Sequence, residues 1–291
     1  MRISLALCIA INLLGSSLLG QTIFLKPDLE RTQIHGKVKL INESTYEVEI
    51  VDGEIVKGER KGMHWQYEQD YAEMEFDSNG YMKRYADLRA PGDTIWVLTK
   101  SLNRALRIVE EKLDTKDELF PNTQTYYYDD EYRLVKRTDS ENGVVNSTSQ
   151  VKYDTTNQFI IEERKTVTKR GDISIYIRKY SKKTGRLLES LSTYNNDQRD
   201  QNKYHYSDDG TYHWIETIKP DGRISQKVFH KFDDTGKKIE IKSYFYRKHI
   251  VDEKLERFVY KIDGKGNWVF RINYLGDVPR SINERIIEYF Q

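Results

Sequence analysis

The sequence has 291 residues, of which 47 are basic and 46 acidic, so its formal net charge is +1. Such an even balance argues against nucleic-acid binding, which needs a clustered basic face. The single cysteine, Cys8, lies within the first 20 residues, so we expect no disulfide, cysteine metal site or cysteine nucleophile beyond them. A hydrophobic content of 37% together with 21 tyrosines predicts a sheet with one thin apolar face and one wet face.

The first 20 residues have the pattern of a secretory signal. Arg2 supplies a positive start, residues 5–14 are almost wholly apolar, and small residues follow at 15–17 and at 20. The apolar run is shorter than the roughly 20 residues that a membrane-spanning helix needs. We therefore expect removal of residues 1–20 and a mature chain from Gln21 with no transmembrane segment. The expected location is periplasmic, associated with the outer surface, or secreted.

Residues 21–75 are predicted to form N-terminal capping strands. Residues 37–41 and 46–54 are rich in Val and Ile, and the second run alternates apolar with acidic residues. The first unit of a repeat array has to shield an otherwise open sheet edge. We assign that role to these strands, in one domain with the repeats that follow.

A repeat of about 26 residues runs through 76–291. A second set of turn signals, such as Glu141-Asn142-Gly143, lies about half a period away. Two turns per period leave strands of about nine residues and no room for the crossovers that parallel strands need. The pattern predicts an all-β fold, an antiparallel up-and-down meander of hairpin repeats with about 16 strands in one elongated or curved sheet. Each repeat begins with an aromatic or apolar residue before a turn rich in Asp, Ser, Asn and Gly, at Phe76, Tyr128, Tyr153, Tyr180, Tyr206, Phe232 and Ile262.

Residues 102–113 fit two interpretations. Leu102, Leu106, Val109 and Leu113 have helical spacing, which would predict a local helix. The phase of the repeat instead places a missing turn near Leu102-Asn103 and favours two strands.

The repeat unit resembles the YD (RHS-type) repeat, in which Tyr/Phe-Asp-x-x-Gly precedes a basic and an aliphatic residue. Residues 180–187 and 232–239 carry this resemblance, and residues 36–58 resemble secreted repeat proteins of Bacteroidota. The resemblance implies a hairpin-repeat β architecture outside the cytoplasm. It implies no catalytic residues.

A row of histidines is the strongest candidate for a metal site. If 208–210 and 234–236 are three-residue loops and 221–222 a two-residue turn, His205, His213, His230 and Glu240 lie opposite one another on neighbouring strands. Strands lie about 4.8 Å apart, so three imidazoles could reach one Zn²⁺. The alternative is ordinary cross-strand packing, because a slip of one residue in any turn breaks the row. The paired aspartates of the turns are interpreted as turn caps rather than Ca²⁺ ligands.

Aromatic residues offer a second candidate site. The same register places Tyr204, Trp214, Phe229 and Ile241 together on the opposite face, which we expect to be the buried one. With Tyr244 and Tyr246, the residues Tyr204 and Trp214 could form a platform for a glycan or an extended peptide. The alternative is aromatic pairing between strands that only stabilises the sheet.

The sequence carries no motif of a nucleophile elbow, zinc protease, phosphate loop or dinucleotide fold, so we predict a protein without enzymatic activity. The leading hypothesis is a secreted β-repeat scaffold or protein-binding module of the cell envelope that contacts a protein partner through its long concave face or its exposed edge strands. The alternatives are a glycan-binding module that uses aromatic rows and a zinc protein that uses the histidine row.

Overall fold

The computed structural model describes residues 28–31, 34–60, 71–90, 93–115, 122–247 and 250–291. The predicted signal segment therefore lies outside the described residues. Within them, the fold contains one short helix, α1 (Asp28–Arg31), and otherwise only strands and turns. No helix among these residues is long and apolar enough to cross a membrane.

In the described part of the chain, nineteen strands follow α1 in chain order. The first seven are β1 (Val38–Val51), β2 (Glu54–Arg60), β3 (Tyr71–Phe76), β4 (Met82–Ala90), β5 (Asp93–Asn103), β6 (Ile108–Thr115) and β7 (Asn122–Tyr128). The next six are β8 (Leu134–Glu141), β9 (Val144–Thr155), β10 (Phe159–Thr168), β11 (Ile173–Ser181), β12 (Leu187–Tyr194) and β13 (Asp197–Tyr206). The last six are β14 (Tyr212–Ile218), β15 (Ile224–Phe232), β16 (Lys238–Arg247), β17 (Ile250–Ile262), β18 (Trp268–Leu275) and β19 (Val278–Tyr289).

The sheet closes on itself. From β3 onward each strand pairs antiparallel with the next, and β1 pairs with the last strand, β19, from Val38 to Tyr46. On its other edge β1 pairs with β3 through residues 40–44 and with β2 through residues 46–51. β2 and β3 therefore lie end to end and together count as one strand of the barrel wall. The nineteen strands therefore form an 18-stranded antiparallel barrel.

Closure confirms one part of the sequence prediction and overturns two. The all-β antiparallel meander of hairpins is confirmed, and residues 104–107 form a turn between β5 and β6, so the alternative helix was wrong. The open elongated or curved sheet was wrong, because β1 and β19 pair with each other. The assignment to YD-repeat proteins was also wrong, because a closed barrel is not the open repeat sheet that it implied.

Two kinds of turn lie at opposite ends of the barrel. At one end, here called the basal end, an aspartate accepts hydrogen bonds from backbone N–H groups of its own turn, as Asp233 does from Thr235 and Lys237 at 3.0 and 2.8 Å. At the other end, here called the rim, two-residue turns such as Asn142-Gly143 have positive φ at both residues, 53° and 73°. Such turns match the twist of the flanking strands, which explains the half-period of the sequence signals.

Bulges at the basal end bend the wall. The ladders shift register next to Phe76, Tyr128, Tyr180, Phe232 and Ile262, the residues that begin the sequence repeats. An extra residue in one strand bends that strand and increases its twist. Repetition of this distortion in successive hairpins curves the sheet toward closure.

Tyrosine hydroxyls hold three of these bulges from the neighbouring strand. Tyr206 donates to the carbonyl oxygen of Leu187 at 2.8 Å, and Tyr260 donates to that of Lys238 at 2.7 Å. Tyr153 makes the equivalent bond to Leu134 at 2.9 Å. These bonds satisfy carbonyl groups where the ladder is disrupted and give the abundant tyrosines a structural role.

The apolar core lies at the basal end, on the inner face of β1, β3 and β4. Leu29 of α1 packs there against residues that include Ile41, Met74 and Tyr85. Eighteen strands spaced about 4.8 Å apart and tilted by about 40° enclose a circle of roughly 36 Å between backbones. After allowance for side chains, a lumen on the order of 20 Å remains, wide enough for water.

Candidate functional site in the barrel interior

The inner wall is the face that carries Ile41, Met74 and Tyr85, which α1 contacts. Side chains alternate between the two faces of a strand, so the registers assign the remaining residues. On β6 to β12 and on β16 to β19 this wall combines arginine, carboxylate and aromatic side chains. Many of them retain partial exposure, which is expected of a wall that faces water rather than a packed core.

One cluster of the inner wall lies on β6, β7 and β8. The Tyr126 hydroxyl lies within hydrogen-bond distance of two oxygens, Gln124 Oε1 at 2.6 Å and Glu111 Oε2 at 3.0 Å. Burial raises the pKa of Tyr126 well above its usual value. The Arg137 guanidinium lies over the Tyr126 ring and donates to Asp139 at 2.6 Å. Each charge in this cluster therefore has an opposite charge or an aromatic face beside it.

A second cluster continues the first on β10 and β11. Glu162, which is 4% exposed, accepts hydrogen bonds from Arg178 at 3.4 Å and from Tyr180 at 3.2 Å. Arg164 and Arg178 lie over the Tyr176 ring, at 5.6 and 4.7 Å from its centre. Burial and then the neighbouring Arg178 charge lower the pKa of Arg164. Arg164 is the member of this cluster without an ion pair among the described residues.

A third cluster lies across β18, β19 and β1. Arg285 donates to Glu43 at 2.9 Å and stacks on Trp268 at 3.6 Å. Arg271 donates to Asn283 at 3.1 Å and also lies over Trp268, at 4.9 Å. Trp268 is thus the aromatic centre of this cluster, and two cations lie over its ring.

The helix α1 adds an acidic group to the inner wall. Asp28 accepts a hydrogen bond from the backbone N–H of Met82 at 2.8 Å and ion-pairs with Lys100 at 3.1 Å. Lys100 also pairs with Glu111 at 3.3 Å, so it connects α1 to the first cluster. This arrangement holds α1 inside the basal end of the lumen.

Two histidines face each other on the inner wall between β14 and β15. His213 pairs with His230 in the ladder, their ring centres are 4.5 Å apart, and they are only 4% and 6% exposed. The buried atoms His213 Nε2 and His230 Nδ1 have no hydrogen-bond partner. Burial, followed by the charge of Lys238, lowers the pKa of His213 to about 4 and that of His230 to about 3. Both imidazoles are therefore neutral at pH 7.

The outer wall carries ion pairs along its strands. Examples that lie between neighbouring or nearby strands are Lys57–Glu284 at 3.0 Å, Lys227–Glu216 at 2.8 Å and Lys242–Glu253 at 3.0 Å. These pairs lie within the strands rather than in the turns. A lipid-facing barrel instead carries a continuous apolar band, where a lysine at the midplane costs about 2–4 kcal/mol.

The proposed zinc ligands do not share a face. His213 and His230 pair as predicted, but His205 pairs with Trp214 and His230 pairs with Ile241. His205 and Glu240 therefore point outward while the other two histidines point inward. No group of three possible metal ligands lies together within the part of the chain that the structure describes.

Two local features make the observed strand register differ from the predicted one. The loop after β13 closes with Ser207 opposite Tyr212 and so holds four residues instead of three, which moves His205 by one position. The next basal turn places Phe232 opposite Lys238 as predicted, but a bulge in β16 then shifts the partner of His230 from Glu240 to Ile241. A bulge reverses the faces of all residues beyond it, and the sequence alone did not reveal it.

The proposed aromatic platform is divided in the same way. Tyr204 lies on the inner wall, with its hydroxyl 3.3 Å from that of Ser190, whereas Trp214, Tyr244 and Tyr246 lie on the outer wall. The prediction that Trp214 lies on the buried face and the histidines on the wetter face was wrong, since His213 and His230 are buried.

The rings of the outer aromatic row cover one another. Trp214 stacks on His205 at 4.7 Å with 6° between the planes, and on Phe229 at 6.1 Å with 19°. Phe229 in turn meets the edge of Tyr244 at 5.8 Å. Trp214 therefore has a ring neighbour on each flanking strand, His205 on β13 and Phe229 on β15. The row is a cross-strand ladder of the kind that stabilises sheets.

The arginine and aromatic clusters of the inner wall were missed by the sequence analysis. These arginines share no motif and are scattered over 149 residues of the sequence: Arg137, Arg164, Arg178, Arg271 and Arg285. For three of them a signal was present in a tyrosine or carboxylate two positions away, which is Asp139 for Arg137, Glu162 for Arg164 and Tyr176 for Arg178. That signal becomes readable only when the inner face is known.

The chain resembles known proteins only weakly. No family model and no curated protein matches the sequence. Among solved structures, a porin-like protein from Bacteroides vulgatus is similar with 10% identity and a TM-score of 0.35, over 87% of this chain and 98% of that protein. A TcdB2–TccC3–TEV structure is similar with 11% identity and a TM-score of 0.20, over 73% of this chain and 15% of the other. Likenesses at this level indicate neither family nor function.

Proposed function

We propose that this chain is a non-enzymatic, hollow β-barrel that works outside the cytoplasm and holds an extended, uncharged polar chain, an oligosaccharide, in its lumen. The observation that carries the proposal is the inner wall, where aromatic rings lie among charged groups most of which are already paired. Aromatic side chains with a few oriented polar groups are the usual lining of small-molecule and glycan sites.

Charge pairing on the inner wall favours an uncharged ligand. Arg285 is compensated by Glu43, Arg137 by Asp139, and Lys100 by Asp28. A charged ligand would have to compete with these pairs, whereas sugar hydroxyls can both donate to carboxylates and accept from guanidinium groups. The lumen of roughly 20 Å is also wide enough for a solvated oligosaccharide.

The charged outer wall supports an aqueous location for the barrel, such as the periplasm or the cell exterior. The pairs Lys227–Glu216 and Lys242–Glu253 lie within the strands, where a membrane barrel would face hydrocarbon. Closure also removes the open concave face and most of the edge strands through which a protein-binding module was expected to contact its partner.

Tryptophan fluorescence tests the proposal, because the indoles lie on different walls. Trp96 and Trp268 face the lumen, whereas Trp214 faces outward. We expect an oligosaccharide panel to contain a ligand that changes the emission of the purified protein, and Trp268→Phe to reduce that change. The matched control, Trp214→Phe, should retain it.

Two outcomes would overturn the proposal. One is an oligosaccharide response that disappears with Trp214→Phe and survives Trp268→Phe, which would place binding on the outer wall. The other is the absence of any response across neutral oligosaccharides, together with partition of the folded protein into lipid vesicles, which would favour a membrane channel.

A further inference from the structure

Arg164 of β10 is a cation of the inner wall that has no carboxylate of its own. Its guanidinium lies over the Tyr176 ring, 5.6 Å from the ring centre, and it makes no ion pair or hydrogen bond with another residue in the described part of the chain. A guanidinium group carries five N–H donors and keeps its charge in proteins. Arg164 therefore presents a permanent charge and unused donors to the lumen.

The neighbouring charges leave Arg164 uncompensated. Arg178 and Arg137 lie close enough to repel its charge, and Glu162 attracts it. Glu162, however, accepts a hydrogen bond from Arg178 at 3.4 Å, and Arg137 pairs with Asp139 at 2.6 Å. Of the three guanidinium groups, Arg164 is thus the one whose charge no carboxylate binds. A negative charge placed beside it would be attracted by all three cations.

Hydroxyl groups lie on the rim side of Arg164. Thr166 follows it on the same face of β10, and the ladders set Ser149 and Ser174 opposite Thr166. The hydroxyl oxygens of Ser149 and Thr166 are 2.8 Å apart, so one hydroxyl donates to the other, and the second keeps its own proton for a further acceptor. Glu162 lies on the opposite, basal side of Arg164. An anion on the rim side would thus face donors and avoid the nearest carboxylate.

We propose that Arg164 and the hydroxyl groups beside it bind a single oxyanion in the lumen, either a free inorganic anion or the carboxylate or sulfate group of an acidic sugar. The planar fork of a guanidinium matches two oxygens of such a group, and hydroxyl donors add hydrogen bonds to the remaining oxygens. The site goes beyond the uncharged chain proposed above, because it adds one acidic group to what the lumen accepts.

Isothermal titration calorimetry of the purified full chain at low ionic strength, where charges are weakly screened, tests the site. The probes are sodium sulfate, glucuronate and glucose, since glucuronate carries a carboxylate that glucose lacks. We expect saturable binding of one sulfate per chain. Arg164→Gln should weaken it about tenfold or more, because hydrogen bonds to a charged group are lost.

Lys165→Gln is the matched control for Arg164→Gln. Lys165 is the next residue of β10, so the variant removes the same charge from the outer wall instead of the inner wall, and the affinity for sulfate should stay unchanged. Circular dichroism shows whether each variant keeps the fold. Arg164→Lys retains the charge without the planar fork, and its affinity should lie between those of Arg164→Gln and the unmodified protein.

The relative affinities of the probes distinguish the two sources of the anion. Tighter binding of glucuronate than of sulfate and glucose would identify a sugar as its carrier, whereas tighter binding of sulfate would identify a free anion. The absence of saturable binding of both anions would overturn the proposal. Equal sulfate affinity of the unmodified protein and a folded Arg164→Gln, or an equal loss with Lys165→Gln, would also overturn it.

Failure of the anion site and failure of the proposed function give different results. Neutral oligosaccharides that change tryptophan emission, without any binding of sulfate or glucuronate, would reject only the anion site. Binding of sulfate that depends on Arg164, without any response to neutral oligosaccharides, would reject only the proposed function.

Discussion

The paired histidines predict a strong loss of stability in mild acid. His213 and His230 have ordinary pKa values near 6.5 in the unfolded chain, but burial lowers them to about 4 and about 3 in the barrel. Between pH 6.5 and pH 4 the unfolded chain therefore binds protons that the folded barrel does not. Stability is fully present above pH 6.5 and decreases as the pH falls through this window.

The magnitude follows from the two shifts. Each pKa unit corresponds to about 1.36 kcal/mol, and at pH 5 each unfolded histidine lies about 1.5 units below its own pKa. Each histidine then contributes about 2 kcal/mol of lost stability, or about 4 kcal/mol for the pair between pH 8 and pH 5. Carboxylates contribute little to the pH dependence between pH 8 and pH 5. Their ordinary pKa values lie near 4, and folding lowers the pKa of Asp263 and of Glu216 further, so both stay ionised in the folded and the unfolded chain.

Urea unfolding followed by tryptophan fluorescence at pH 8, 6.5 and 5 measures this loss. The double variant His213→Leu/His230→Leu removes both titrating groups, and the nitrogen atoms His213 Nε2 and His230 Nδ1 have no hydrogen-bond partner to lose. We expect the variant to lose far less stability between pH 8 and pH 5 than the unmodified protein. The reasoning is refuted if both proteins lose the same amount.

Two further predictions concern named contacts and use the same urea assay. Glu43→Gln should cost about 2–3 kcal/mol of unfolding free energy because it removes the counter-charge of Arg285, whose side chain is 17% exposed. Glu253→Gln, in an exposed pair, should cost less than about 1 kcal/mol. Equal costs would contradict the inner-wall assignment. Asp233→Ala removes three hydrogen bonds within one basal turn and should cost about 2 kcal/mol, while Asp234→Ala next to it should be nearly neutral. An equal effect of the two aspartate variants would show that the turn does not depend on the Asp233 carboxylate.

Local turn chemistry made much of the secondary structure predictable. The Asp-Gly and Asn-Gly signals correctly located the alternating turns, and the phase of the repeat correctly placed strands on both sides of residues 104–107. His213 and His230 also pair as predicted, but not because the turn has the predicted length: three residues, 220–222, separate Lys219 from Arg223, and a bulge between Thr217 and Ile218 compensates for the additional residue. The turn positions were predictable because turn signals depend only on residues close together in the chain.

The candidate sites failed where register depended on something other than the turn residues. One additional loop residue moved His205 to the outer wall, and a bulge in β16 replaced Glu240 by Ile241 as the partner of His230. Because side chains alternate with a period of two, each of these single-residue changes reversed the face of the predicted ligand. The arginine clusters were not found at all, because their members come together only when distant hairpins share one interior.

The sequence by itself determined the hairpins, the positions of their turns and the antiparallel order of the strands, because each of these depends on residues close together in the chain. Only the tertiary structure decided that β1 meets β19, residues about 240 positions apart, and so that the sheet has an inside and an outside. Twist and bulges curve each hairpin slightly, and the sheet closes only because these small curvatures add up over all hairpins, which no single repeat reveals. Closure in turn puts Trp268 and Arg285 on the lumen side of the wall and Trp214 on the solvent side.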